Sequence, residues 1–168
     1  GFRLGHWGNG ANPGSVYTLS GGPLATTAVL STISWDGAAT FNLSGGTWKA
    51  GVINFDGGAG DTVLGTLNIT STGVLEAGGN IGASSTASEG IFLGGGAIKA
   101  MGSVIVNSNL AANASTTSLL DTNGNVVTLS GNITGTGTIN IQSLPLGNAV
   151  RFTTTGTQIV NPVITVSE

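Results

Sequence analysis

The chain has no cysteine, and its 168 residues include one histidine, one methionine and one tyrosine. Lacking cysteine, it has no disulfide staples, cysteine-ligated zinc or thiol nucleophile. His6 has no second histidine and no carboxylate neighbour in sequence, and reads as a turn residue. Charge is also scarce. Charged residues make up 7% of the chain, against about 25% in an ordinary globular domain. The basic residues are Arg3, Lys49, Lys99 and Arg151, scattered against seven acids for a net charge of −3. They cannot be gathered into a phosphate-neutralising patch, so no nucleic acid is expected as a partner. No apolar run approaches the roughly 18 residues of a membrane-spanning helix, so no membrane insertion is expected either.

What is present is apolar, small and turn-forming. Apolar residues are 39% of the chain and the mean hydropathy is +0.33, which sets it apart from a disordered polar linker. Thirty glycines, only four prolines and abundant Ser, Thr and Asn predict many tight turns and little helix. The length fits one domain over 1–168, either complete or a fragment of a longer one. Gly1 is not preceded by an initiator Met or a signal segment, which reads as a mature product or an excised piece. Asn-x-Ser/Thr triplets begin at Asn42, Asn68, Asn113 and Asn132, and in so Asn-, Ser- and Thr-rich a chain they are expected by chance.

The stretch from Ile33 to Gly58 is a repeating unit. Ile33-Ser34-Trp35-Asp36-Gly37 returns as Ile53-Asn54-Phe55-Asp56-Gly57, and Phe41-Asn42-Leu43-Ser44-Gly45-Gly46 answers Tyr17-Thr18-Leu19-Ser20-Gly21-Gly22. Apolar-x-apolar triplets start at 17, 41, 67, 91, 117, 139 and 164, with gaps of 24, 26, 24, 26, 22 and 25 residues. A period of two holds inside each triplet and no helical period survives. The expected fold is all-β: a parallel β-helix (β-solenoid) of about seven coils of about 24 residues, stacking to roughly 34 Å at about 4.8 Å per rung. The triplets at 17–19, 41–43, 67–69, 91–93 and 139–141 are expected in register on one face. Thr18, Asn42, Asn68 and Asn140 then point outward, where in-register Asn side chains form ladders. Phe92 is the exception in that phase. Residues 82–89 are the weakest part of the repeat and are expected as a protruding loop. The repeat of Lys49 at Lys99 places both on one face, roughly 10 Å apart.

In the last third, Asp121-Thr122-Asn123-Gly124-Asn125 leads into alternating Val/Leu and then Leu129-Ser130-Gly131-Asn132-Ile133-Thr134-Gly135-Thr136-Gly137. This run resembles the autotransporter-associated β-strand repeat, and LGHWGN, YTLSGG and GGTWKAG resemble its companion repeats in large secreted bacterial proteins. The resemblance implies a right-handed parallel β-helix of the passenger type, outside the cell or on the bacterial surface. The family pattern also has an outer-membrane barrel or a C-terminal sorting signal, and neither is in this sequence.

Reactive chemistry is not expected. Asp121-x-Asn123-x-Asn125 has the alternate oxygens of a calcium loop, but Gly falls at the fourth position, not the sixth, and Asn132 stands where Glu is needed. A turn capped by its own Asx side chains is the simpler reading. Gly57-Gly58-Ala59-Gly60-Asp61 is one residue short of the calcium nonapeptide and occurs once. Asp36 and Asp56 would stack as a carboxylate pair, yet Asp-Gly is what a turn requires, and no basic partner is spaced beside them. Thr134-x-Thr136-x-Thr138 and Thr153–Thr155 do not recur at the coil period, as a flat ice-binding face would need. The expectation is therefore a non-enzymatic protein without catalytic residues, metal or cofactor.

Two functional expectations remain. The first is an extracellular structural solenoid whose end coils pair with copies of itself or with adjoining repeats, through the apolar edge Ile159, Val160, Val163, Ile164 and Val166. The second is an adhesin-type passenger fragment gripping polysaccharide or a host surface through Trp7, Trp35 or Trp48. Trp7, Trp35 and Phe55 are expected as an aromatic ladder, and filling the coil interior is the simpler use of such rings.

Overall fold

In the computed structural model the chain is a parallel β-solenoid of about 24-residue turns, about five coils in all. The structure describes residues 2–5, 14–27, 30–35, 37–55, 65–82, 90–142, 150–152 and 162–167. Among them strands β1 to β17 run in chain order and build three faces. The first face stacks β1 (Phe2–Arg3), β3 (Ser31–Thr32), β5 (Ile53–Asn54), Ile81, β10 (Val104–Val106), β13 (Val127–Leu129) and β16 (Val150–Phe152). On the second face the early halves of β2 (Ser15–Thr26) and β4 (Ala39–Ala50) are followed by β6 (Gly65–Thr70), β8 (Gly90–Gly94), β11 (Asn109–Ala112) and β14 (Ile133–Gly135). On the third, the late halves of β2 and β4 lead to β7 (Val74–Ala77), β9 (Ala97–Ala100), β12 (Thr117–Asp121), β15 (Thr138–Gln142) and β17 (Val163–Ser167).

Period-two sequence patterns become columns of like side chains. Along β4 alternate residues are buried, and Phe41, Leu43, Trp48 and Ala50 point inward. Stacking at identical register sets Phe41, Leu67, Ile91, Leu110 and Ile133 one above another, all within 2% of complete burial. The corner between the second and third faces needs glycine. Gly46 has φ +72°, and a Cβ there would overlap the Gly22 carbonyl oxygen one coil below.

The expected stacking is right for four of the five triplets and wrong for the fifth. Those at 17–19, 41–43, 67–69 and 91–93 share the second face. Ile139–Ile141 and Ile164–Val166 stack on the third face. Thr117 and Leu119 point outward there, and Ser118 and Leu120 fill the interior. Because one coil carries strands on three faces, an apolar-x-apolar triplet does not reveal which face it belongs to.

The aromatic ladder also slips. Ser31 pairs with Ile53 and Thr32 with Asn54, a spacing of 22, and the Ile33 amide donates to the Asn54 carbonyl at 2.8 Å. The next step in that register puts Ile33 on Phe55, both fully buried, and leaves Trp35 off the column. Matching the motifs at a spacing of 20 had set Trp35 against Phe55. Trp7 and residues 83–89 lie outside the described residues.

Candidate functional site

Among the described residues the interior columns reach their outermost positions at two end rungs. On the third face the inward column runs Leu24, Trp48, Leu75, Ile98, Leu120, Ile141, Val166. Ile141 is 5% exposed and Val166 is 72% exposed, because among the described residues β17 is paired only on its β15 side. Ile164 continues Ile139 and is half-buried. Val163, which the sequence groups with them, points outward at 55% exposure, and Ile159 and Val160 lie outside the described residues. On the first face Phe152 caps the column over Leu129 and is 42% exposed.

The opposite end is plugged by rings. Phe2 makes edge contacts with Tyr17 (5.8 Å between centroids) and Phe41 (5.9 Å). Phe41 stacks on Trp48 at 4.3 Å and 11°. Phe2, Tyr17, Leu19 and Leu24 are half-buried against the core. Trp48 is fully buried, and its Nε1 donates to Thr26 Oγ1 at 2.9 Å, which also accepts from Ser31 Oγ at 2.8 Å. That placement corrects the reading of Trp48 as a sugar platform: its ring has no face open to a ligand. Trp35 is half-buried, with the Arg3 guanidinium carbon 3.7 Å from its ring centroid.

The outward side of the second face carries the expected ladder. Asn68 Nδ2 donates to Asn42 Oδ1 at 2.8 Å, and Asn42 Nδ2 donates to Thr18 Oγ1 at 3.4 Å. The next rung is Phe92, in register with Asn68, 37% exposed and lying against Gly90. Asn140, expected in this ladder, stands on the third face, where its Oδ1 accepts from Thr165 Oγ1 at 3.3 Å.

The third face holds a feature that sequence spacing half-reveals. Lys49, Glu76, Lys99 and Asp121 occupy one outward column on successive rungs. Lys49 Nζ lies 3.4 Å from Glu76 Oε2. The two lysines do share a face, as expected, and an acid stands between them. Glu76 escapes notice because VLEA (74–77) matches TWKA (47–50) only at its final Ala. Beside this column is an open groove of about 390 Å³ lined by Val74, Ala97 and Leu119 together with Ser71, Thr117 and Gln142.

The Asp121–Asn125 turn is capped by its own side chains. The Asn123 amide donates to Asp121 Oδ1 at 2.7 Å, while the Asn123 and Asn125 side-chain nitrogens each donate to the Ala100 carbonyl at 3.2 Å. Among the described residues no group of His, Asp and Glu side chains converges on a metal-sized site. His6, Asp36, Asp56 and Asp61, and with them the carboxylate pair and the glycine-rich loop at 57–61, lie outside the described residues.

No family model, curated protein or solved structure matches the chain. The fold is therefore secured by its own ladders and columns, and the likeness to autotransporter-associated repeats rests on the short motifs that carry it.

Proposed function

We propose that this protein is a non-enzymatic, extracellular structural solenoid, passenger-like in its repeats, whose end coils pair with further coils to build a filament or a longer surface fibre. One observation carries the reading. Columns buried to within 5% through the middle of the solenoid end in Val166 at 72% and Phe152 at 42% exposure. Among the described residues β17 is paired only on its β15 side, and its other edge offers N–H and C=O groups beside that apolar surface, which another coil satisfies at once. Low charge leaves little repulsion against growth. The repeat motifs support a place outside the cell or on a bacterial surface.

The test is electron microscopy and sedimentation of the purified chain across a concentration series. Concentration-dependent filaments about one solenoid wide support the proposal. Monodisperse particles at every concentration, combined with retention on a polysaccharide array, favour the adhesin reading instead. The observation on that side is Phe92, a partly exposed ring in register with Asn68 on the outward side of the second face.

A further inference from the structure

We infer that two copies of this chain stack head to tail in the register of the solenoid itself, the last rung of one continuing into the first rung of the next, with Pro23 weakening the joint. The inference rests on the end-pairing reading above and specifies its partner and geometry.

Backbone direction comes first. In a parallel ladder successive residues direct their N–H and C=O pairs alternately to the two neighbouring strands. The Val163 amide donates back to the Gly137 carbonyl at 3.1 Å. Val163 and Thr165 therefore face into the solenoid, while the N–H and C=O groups of Ile164 and Val166 point off its end. At the other end the Thr26 carbonyl accepts from the Gly51 amide at 3.4 Å. Leu24 and Thr26 thus face inward, and Pro23 and Ala25 point off that end.

The columns then fix the joint. Extending the third-face column by one rung sets Leu24 of a second copy on Val166. The first-face column runs Phe2, Ser31, Ile53, Ile81, Val106, Leu129, Phe152, and the same extension sets Phe2 on Phe152. Both ends are cross-sections of one solenoid, so apolar positions meet apolar positions on both faces. In this register the Val166 amide donates to the Pro23 carbonyl and the Ala25 amide donates to the Val166 carbonyl. The Ile164 carbonyl meets the proline nitrogen, which has no hydrogen to give. Among the described residues the prolines stand only at the terminal rungs: Pro23 in β2 and Pro162 immediately before β17. Each joint thus lacks one ladder bond, which tempers growth without preventing it.

Cross-linking tests the register cleanly because the chain has no cysteine. Ala25 is exposed and heads the column that passes through Lys49 and Gln142 to position 167. Adjacent rungs lie about 4.8 Å apart, within disulfide reach. Under mild oxidation Ala25→Cys/Ser167→Cys should give a covalent ladder of dimers, trimers and higher species. A mixture of the two single variants should give dimers only, and each single variant alone should give none. Pro23→Val restores the missing donor and should lower the concentration at which filaments appear by about two- to tenfold. Filaments of the double variant without cross-links would overturn the register and leave end pairing standing. Ala25→Cys cross-linking to itself would show head-to-head contact and overturn the direction. A parent that never assembles would overturn end pairing and this inference together.

Discussion

Trp48 decides whether the aromatic residues of this chain are architecture or ligand platform, and its replacement has a calculable effect. The ring is fully buried, stacked on Phe41 at 4.3 Å, with Nε1 bonded to Thr26 Oγ1. Trp48→Ala removes a large interior side chain that its rigid neighbours cannot replace, and should cost about 3–5 kcal/mol. For a chain of this size that lowers the thermal midpoint by about 6–20 °C. Trp48→Phe keeps most of the stack on Phe41 and loses the indole donor along with part of the volume. Thr26 Oγ1 still accepts from Ser31, so no polar atom is orphaned. The loss should be about 1–3 kcal/mol, of which the hydrogen bond accounts for about 0.5–1.5. Trp35→Ala, at a half-buried ring covered by Arg3, should cost less than Trp48→Ala. Urea unfolding followed by far-UV circular dichroism gives all three values, since it reports the whole ladder whichever indoles remain. If Trp48→Ala loses less than about 1 kcal/mol, or less than Trp35→Ala, the ring is not the interior element described here.

Three further outcomes follow from the geometry. Glu76→Lys puts three lysines on successive rungs and should lower stability by about 1–2 kcal/mol, more than Glu76→Gln, and the difference between the two should vanish in 1 M NaCl. Gly46→Ala should cost more than about 2 kcal/mol, because the residue sits at φ +72° with the Gly22 carbonyl in the way. Gly21→Ala, where nothing lies within 4 Å of the new methyl, should be near neutral on the same urea curves. Thermal midpoints in chelator and in millimolar calcium should agree, since the Asp121, Asn123 and Asn125 side chains are engaged in capping the turn and in tying it to the Ala100 carbonyl. A rise of several degrees with calcium would overturn that assignment.

Much of the fold was legible because solenoid stacking turns a local pattern into a global one. Phe41-x-Leu43 and Leu67-x-Ile69 are recognisable as rungs from their alternation and spacing alone, and both fill the interior. The outward Asn42–Asn68 pair was legible for the same reason, since the residue between two inward side chains can only face out. What local spacing could not supply was the path of the chain between faces. Turns of different length separate the same two columns, with 17 residues from Ile81 to Ile98 and 12 from Leu129 to Ile141. A triplet can therefore keep a spacing near 24 while moving to another face, as happens between Ile91–Leu93 on the second and Thr117–Leu119 on the third. Trp48 shows a second limit. An aromatic flanked by Thr47 and Lys49 looks half-solvated in sequence, and only the Phe2–Tyr17–Phe41 cluster and the Thr26 hydroxyl make its burial intelligible.

The charge column answers a problem that such regularity creates. Interior columns of Leu and Ile are nearly interchangeable, so a chain that skipped one coil and paired β4 with β9 would still bury apolar on apolar. The outward column does not allow the skip. In the native order Lys49 faces Glu76, Glu76 faces Lys99, and Lys99 faces Asp121. Skipping one coil sets Lys49 against Lys99 and Glu76 against Asp121, exchanging attractions for repulsions at every step. Each exchange is modest, about 0.2–1 kcal/mol for directly opposed exposed charges, but the apolar columns contribute almost no discrimination of their own. Register specificity therefore falls to the side chains that bury least. In so sparsely charged a chain, four of its eleven charged residues stand in this single column. They lie in the middle of the third face, where slippage is decided, while Pro23, Ala25, Val163 and Val166 leave its two end strands uncharged at every described outward and inward position near the joint.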